Sequence, residues 1–245
     1  MRKRWIPRLL LTLAVLVIIV FMFFPFYWLF IMSLKGDLDL YKMPPDWIAK
    51  NPRWDNYKTI FTEHNLGQNL QNSFIIAFST TLISVLIGSW AAYALAKFRM
   101  RFKSLILGVI LAVSMFPGIV VVSPLYMQFS DLKIINTYWA LILPQVGLSV
   151  SFGTLWMSGF FRNAPRELVD AAAIDGCNRW QVLWRILWPL ARPAVLTLVV
   201  LVFMWTWNEF LLALVMVQQE TMRTLPVGLA FFQGRYSADI PLMAA

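Results

Sequence analysis

Five stretches of the chain contain no Asp, Glu, Lys, Arg or His: residues 9–34, 73–96, 104–130, 134–161 and 193–208. A membrane-spanning helix needs about 20 predominantly apolar residues. The first four stretches meet that length, and the fifth meets it if it continues past Glu209 to Val217. The pattern predicts an all-α, polytopic membrane protein with five spans. Pro25 predicts a kink in the first span. The second ends in Ala91-Ala92-Tyr93-Ala94-Leu95-Ala96, small residues that let neighbouring helices approach. The third contains Pro117, Gly118 and Pro124. Proline within a span frees backbone carbonyls, which need partners in protein or a water-lined cavity. Pro117 and Pro124 are therefore candidates for lining a pathway or for packing helices. Pro144, Gly147, Gly153 and Gly159 favour close packing of the fourth span.

The segment 162–192 is far more polar than the runs on either side. Pro165 suits the first position of a helix, and Glu167 then meets the positive end of the helix dipole. Leu168, Ala171, Ala172 and Asp175 follow at helical spacing and are expected on one side. Ala171, Ala172 and Ala173 are strong helix formers with little bulk, so a partner could approach the backbone closely. Gly176 can adopt the left-handed conformation that ends a helix, and Asn178 can cap a second one. In that second helix Val182, Leu183, Ile186 and Leu187 form an apolar face. Trp180, Trp184 and Trp188 recur every four residues, which suggests a helix lying along the membrane–water interface. Pro189 and Pro193 mark the return into the bilayer. On local physics alone, a plain amphipathic connector and a handle for a cytoplasmic partner are both open.

Composition agrees with the membrane reading. The chain has 245 residues, 60% hydrophobic and 13% charged, with mean hydropathy +0.67; a soluble domain carries nearer a quarter charged residues. The net charge of +9 raises the possibility of nucleic-acid binding. Its distribution argues against that. Arg2, Lys3, Arg4 and Arg8 precede the first span without an acid, and Lys97, Arg99, Arg101 and Lys103 follow the second without one. The segment 162–192 holds five arginines against three acids, whereas 35–72 is balanced at five of each. By the positive-inside rule, the N-terminus and the 162–192 loop are cytoplasmic. The first span is expected to remain uncleaved, because no small-residue cleavage site follows it. Cys177 has no partner for an intrachain disulfide, a single His offers no metal site, and no Gly-rich phosphate loop marks the chain as an ATPase.

The polar stretch carries a longer pattern. Asp170-Ala171-Ala172 is followed after three residues by Gly176, and nine residues later by Ile186-Leu187-Trp188-Pro189. This resembles the cytoplasmic loop of ABC importer permease subunits, E-A-A, three residues, Gly, nine residues, I-x-L-P. Asp170 replaces Glu and Trp188 replaces Leu; neither change alters the charge sign or the turn. Asn72-Ser73, Ala91-Ala92-Tyr93-Ala94, Phe116-Pro117, Pro124-Leu125-Tyr126, Asn136-Thr137, Trp207-Asn208-Glu209-Phe210 and Thr224-Leu225-Pro226-Val227-Gly228-Leu229 resemble the carbohydrate-uptake branch, in particular the second permease subunit of maltose-type systems. Ser151-Phe152 stands where that branch often has Pro-Phe.

The resemblance implies a type I ABC importer transmembrane domain over 69–245, preceded by a span and extracytoplasmic loop over 1–68. It implies a bacterial or archaeal plasma membrane, a second permease subunit, a pair of ATPase subunits carrying ATP and Mg, and an extracytoplasmic solute-binding protein. It assigns Glu167, Asp170, Ala171, Ala172, Asp175, Gly176, Ile186 and Pro189 to the loop that couples to the ATPase, with the short helix Asp170–Gly176 docking into it. Permeases of this branch have a sixth span, and the chain ends at Pro241-Leu242-Met243-Ala244-Ala245, where that span is expected to begin.

Two questions stay open at this level. The turn-rich segment around Met43-Pro44-Pro45, Trp47, Asn51-Pro52 and Trp54 suits either a solvated connector or a contact for the binding protein. Glu209, the one acid well inside a predicted span, could line the pathway with Asn208 and meet solute hydroxyls, or could pair with a neighbouring helix. A buried acid costs on the order of 2.5–3.5 kcal/mol on insertion scales, so it faces protein or water. A secondary transporter or channel would be expected to carry more intramembrane ionisable groups or an internal repeat. A membrane enzyme would need clustered His, Asp or Glu, and the sequence shows no such cluster.

Overall fold

The computed structural model describes residues 5–40, 42–63, 65–115, 117–231 and 240–244. Every regular element among them is helical. In chain order these are α1 (Trp5–Ser33), α2 (Asp37–Leu40), α3 (Asp55–Thr62), α4 (Leu66–Lys97), α5 (Lys103–Ser114), α6 (Gly118–Asp131), α7 (Tyr138–Asn163), α8 (Arg166–Ile174), α9 (Arg179–Gln181), a π-helical turn (Val182–Leu187), α10 (Trp188–Leu190), α11 (Arg192–Trp207), α12 (Leu211–Met216), a 3-10 turn (Glu220–Met222), α13 (Leu225–Phe231) and α14 (Ile240–Ala244). They form two compact units, Met1–Gly67 with Gly228–Ala245, and Gln68–Val227.

In the first unit, α1 passes through Pro25 without ending there. An 18-residue apolar window of α1 has none of its residues buried, although Ile31 and Ser33 at the end of the helix are. A bare apolar helix of this length needs lipid or another subunit to cover it. The segment after it folds back rather than running free. Ser33 Oγ lies 2.8 Å from Tyr57 OH, Asn56 Nδ2 donates to Ser33 O at 2.8 Å, and Tyr27 OH donates to Trp47 O at 2.7 Å. Buried Lys35 donates to Asp46 O at 2.6 Å and lies over the Trp28 ring. α14 packs on α1 and α3. At the surface, hydrogen bonds from Lys42 and Lys50 hold the carboxyls of Asp39 and Asp46 below their ordinary range.

The second unit is built on α4, α7 and α11. Val85, Ala92, Met157, Phe161, Leu198 and Val202 form one apolar core, and Ile76, Ala140, Leu141, Leu212, Ala213 and Met216 a second. Gly88 and Gly153 meet where α4 crosses α7. A Cβ on Gly88 would lie 3.3 Å from the Gly153 carbonyl carbon, and one on Gly153 would lie 3.3 Å from Leu198 Cδ2. Gly147 and Gly159, expected to serve the same packing, have open space around them.

Several of the motif residues turn out to be clamps. Asn72, fully buried on α4, donates to Thr221 O and Arg223 O, both at 2.9 Å, and accepts from Gln68 and Tyr138. Next to it, Ser73 Oγ accepts from Leu225 N at 2.8 Å. Asn136, held at φ 61, accepts from the backbone N–H of Gln218 and Gln219. The segment 217–225 is thereby tied across the end of the bundle by side-chain amides and a hydroxyl.

Two of the predicted spans are broken. The stretch 104–130 is two helices, α5 and α6, bent by 91°. Pro117 precedes α6 in an extended conformation (φ −64°, ψ 121°), which an α-helix cannot carry through. At 1.5 Å per residue, α5 and α6 rise about 18 and 21 Å, so neither alone crosses a hydrocarbon core of about 30 Å. The fifth span does not continue unbroken to Val217. α11 ends at Trp207, and α12 begins at Leu211. Asn208 and Glu209 occupy the break. Glu209 Oε1 accepts from Leu212 N at 2.9 Å, and so satisfies one of the free N–H groups at the start of α12.

Candidate coupling loop and intramembrane pocket

The 162–192 loop is a compact helical hairpin. Its first helix begins at Arg166, so Pro165 sits just before the first turn, at the cap position, in an extended conformation. Glu167 does fall in the first turn. The helix ends where the glycine permits. Gly176 takes φ +80°, its N–H reaches Ala173 O, and Cys177 N reaches Ala172 O at 2.9 Å. This pair of bonds is the Schellman motif, and Ala172 and Cys177 add the apolar contact that accompanies it. Asn178 then forms a complete capping box: Gln181 N donates to Asn178 Oδ1 and Asn178 N to Gln181 Oε1, at 2.9 and 2.8 Å.

The hairpin is seated on the bundle. Val182, Leu183 and Leu187 are buried in the same core as Val85, Met157 and Leu198. Trp188 Nε1 donates to Ser89 Oγ on α4 at 3.2 Å, and Trp184 packs against Trp188 at 4.9 Å between ring centres. These two indoles are drawn into the protein rather than spread along an interface; Trp180 stays exposed and meets Trp90 edge-on. Lys97 Nζ donates to Ala164 O at 2.7 Å, and Trp156 Nε1 donates to Ala194 O at 3.1 Å, which fixes both ends of the hairpin.

The residues expected in the coupling loop therefore divide into two groups. Glu167, Asp170, Ala171, Asp175 and Gly176 are exposed on the outer side of the hairpin. Ala172, expected beside Ala171 on that side, is 3% exposed and faces the core, because α8 packs its Val169–Ala172 edge against the π-helical turn. Ile186 and Pro189 are half-buried and belong to the seat. Sequence reasoning missed Ile174, which is 87% exposed at the tip of α8. A large aliphatic residue between Ala173 and Asp175, off the apolar face, was the available signal. A cleft of 680 Å³ opens beside α8, lined by Lys97, Arg99, Arg101 and Lys103 with Asp170 facing them from the hairpin.

The second candidate region lies at the two helix breaks. Glu209 lines a pocket of 340 Å³ together with Ser114 and Gly118 of the α5–α6 bend, Gln145, Leu148, Ser149 and Phe152 of α7, and Trp205 and Thr206 of α11. Asn208, Pro117 and Pro124 are exposed and do not line it; Asn208 Nδ2 is bonded back to Met204 O at 2.7 Å. Pro117 acts indirectly, by setting the bend that brings Gly118 to the pocket. Among the described residues no group of His, Cys, Asp or Glu is placed to hold a metal ion.

Comparison with known proteins decides the family. Residues 84–245 match the model of the binding-protein-dependent transport system inner membrane component. The chain belongs to that family. It is 39% identical over 222 residues to the sulfoquinovosyl glycerol transport system permease protein SmoH of Agrobacterium fabrum, an alignment that covers 91% of this chain and 78% of the relative. It is 34% identical over 243 residues to the trehalose/maltose transport system permease protein MalG of Thermococcus litoralis, covering 98% and 86%. The fold resembles that of a bacterial ABC transporter involved in import of the acidic polysaccharide alginate, with TM-score 0.77 at 20% identity, over 100% of this chain and 91% of the other. This permease is thus a multi-pass integral membrane protein with the ABC importer transmembrane fold.

Proposed function

We propose that this chain is a permease subunit of an ATP-driven importer for a sugar or sugar-like solute, and that its α8 tip docks into a cytoplasmic ATPase. One observation carries the docking role: a helix that exposes Ile174, Ala171 and Gly176 yet is anchored through Ala172, Leu183 and Leu187 in the core of the spans. An isolated apolar side chain presented on a rigid base is a recognition element, and the small residues beside it allow close backbone approach. The named solutes of the relatives, sulfoquinovosyl glycerol and trehalose/maltose, support a carbohydrate cargo. The family model supports a solute-binding protein as supplier.

A second permease subunit would complete the pathway and cover apolar flank left bare in one chain. ATP and Mg would be held by two partner ATPase subunits, which places the bond chemistry outside this chain. The cytoplasmic side of the plasma membrane is assigned to the hairpin and the N-terminus by the excess of Lys and Arg there. Closure of the ATPase pair would move α8 and tilt the spans between inward-open and outward-open states.

The test is affinity capture of the ATPase from membranes by this chain, with ATP-dependent uptake measured alongside. Ile174→Asp is expected to weaken capture about tenfold or more, the effect of losing roughly 1.4 kcal/mol at an interface anchor. Because Ile174 is exposed, the variant is expected to fold. Unchanged capture and uptake would reject the docking role.

A further inference from the structure

The pocket at the helix breaks contains an imbalance that points to a ligand. Gln145, Ser149 and Thr206 are 8%, 7% and 7% exposed, and all three line it. None of their side chains has a hydrogen-bond partner among the described residues. Glu209 uses one carboxylate oxygen on Leu212 N and has the other left over. Their polar atoms open onto the cavity rather than being sealed in protein, so whatever fills the cavity must meet them. Three side chains from α7 and α11, with the second oxygen of Glu209 at the helix break, therefore face one cavity without a protein partner among the described residues.

Lipid cannot satisfy them, and irregular backbone at membrane depth occurs only where it meets protein or a water-filled cavity. The α5–α6 bend and the α11–α12 break both reach this place, through Ser114 and Gly118 on one side and Glu209 on the other. Gln145, Ser149 and Phe152 share one face of α7 by their spacing. Phe152 and Trp205 stand edge to face at 5.2 Å and wall the cavity with aromatic surface.

We propose that this pocket is a solute subsite within this permease, and that it receives the neutral, hydroxyl-bearing face of a sugar. The proposal rests on the importer reading and deepens it. Gln145 offers two donors and an acceptor, Ser149 and Thr206 each offer both, and Glu209 offers its second carboxyl oxygen. Sugar hydroxyls supply the complementary donors and acceptors, and the apolar C–H face of the ring packs against Trp205 and Phe152. A concave apolar wall with a few convergent polar groups is the usual form of a small-molecule site. Among the described residues no lysine or arginine lines the pocket. A sulfonate or phosphate would find no cation there, so an anionic glycoside would turn its neutral part to this subsite.

The solute reaches this point only after delivery by the binding protein. The subsite should therefore govern the rate at saturation more than the half-saturating concentration. The experiment uses the assembled complex in proteoliposomes, with radiolabelled trehalose and maltose as probes. Gln145→Leu with Thr206→Val removes the polar groups at nearly constant volume. Maximal uptake is expected to fall at least tenfold, with KM within about threefold, while the ATPase is still captured. Because neither side chain holds a hydrogen bond to another described residue, the melting temperature of the double variant is expected to match wild type. Thr206→Val alone is the near-isosteric control against misfolding, with a smaller loss in the same direction.

Uptake of both sugars unchanged in both variants would overturn the subsite while leaving the importer reading intact. A wild-type complex that assembles with its ATPase but imports neither sugar, nor the anionic glycoside sulfoquinovosyl glycerol, also overturns it, since the proposal commits to a solute with a neutral, hydroxyl-bearing face. Failure of wild type to capture an ATPase at all would instead remove the importer reading, and the subsite with it.

Discussion

Asn72 shows how much one side chain can hold. Its amide closes four hydrogen bonds at full burial, two of them to carbonyls about 150 residues away in sequence. Asn72→Leu keeps the volume and strands those carbonyls together with the Tyr138 hydroxyl. At roughly 1–3 kcal/mol for each buried group left unpaired, the loss is expected to reach about 3 kcal/mol. Thermal unfolding in detergent checks this; a melting temperature equal to wild type would show that water replaces the clamp. Gly176 is the opposite kind of residue, needed for what it lacks. Valine there must adopt φ +80°, at a cost of roughly 1–2 kcal/mol, and should fray the end of α8. Faster proteolysis between residues 174 and 178 is the expected readout.

At the scale of elements, the sequence pattern placed the spans but not their breaks. The runs at 73–96 and 134–161 correspond to α4 and α7, because an uninterrupted apolar run of that length has few other solutions. The run at 104–130 is equally apolar, yet Pro117 divides it. Hydropathy records composition and is blind to a backbone angle, and the proline alone did not say whether a kink or a break would follow. The hairpin was legible where its signals were local: Glu167 in the first turn, Gly176 at the end, Asn178 as the cap. It was not legible where packing decides. Ala171 and Ala172 are identical in sequence terms, and only the fold sends one outward and the other into the core. The pocket was half visible through Glu209; Gln145, Ser149 and Thr206 look like ordinary small polar residues until their missing partners are seen.

The whole molecule is incomplete in its surface. α1 leaves its apolar window wholly uncovered, and α4 and α7 bury 44% of theirs. Such surface is acceptable only against lipid or other subunits, so the chain is expected to need detergent throughout and to be degraded faster when made without its partners. Sidedness is testable on the same scale. In a Cys177→Ser background, Ile174→Cys supplies a single exposed thiol at the tip of α8. A membrane-impermeant maleimide is expected to label it in inverted vesicles and not in intact cells. The reverse pattern would place the hairpin outside and defeat the ATPase assignment.

The seating of the hairpin also has a mechanical meaning. A force applied at a surface loop is ordinarily lost as the loop bends. Here the hairpin shares its core with three spans through Ala172, Leu183 and Leu187, and its ends are fixed by the Lys97 and Trp156 hydrogen bonds. Close-packed protein has low compressibility. Under the proposed docking, a displacement imposed at Ile174 would pass into that shared core and turn α4, α7 and α11 together, so a stroke delivered below would be kept as an angle above.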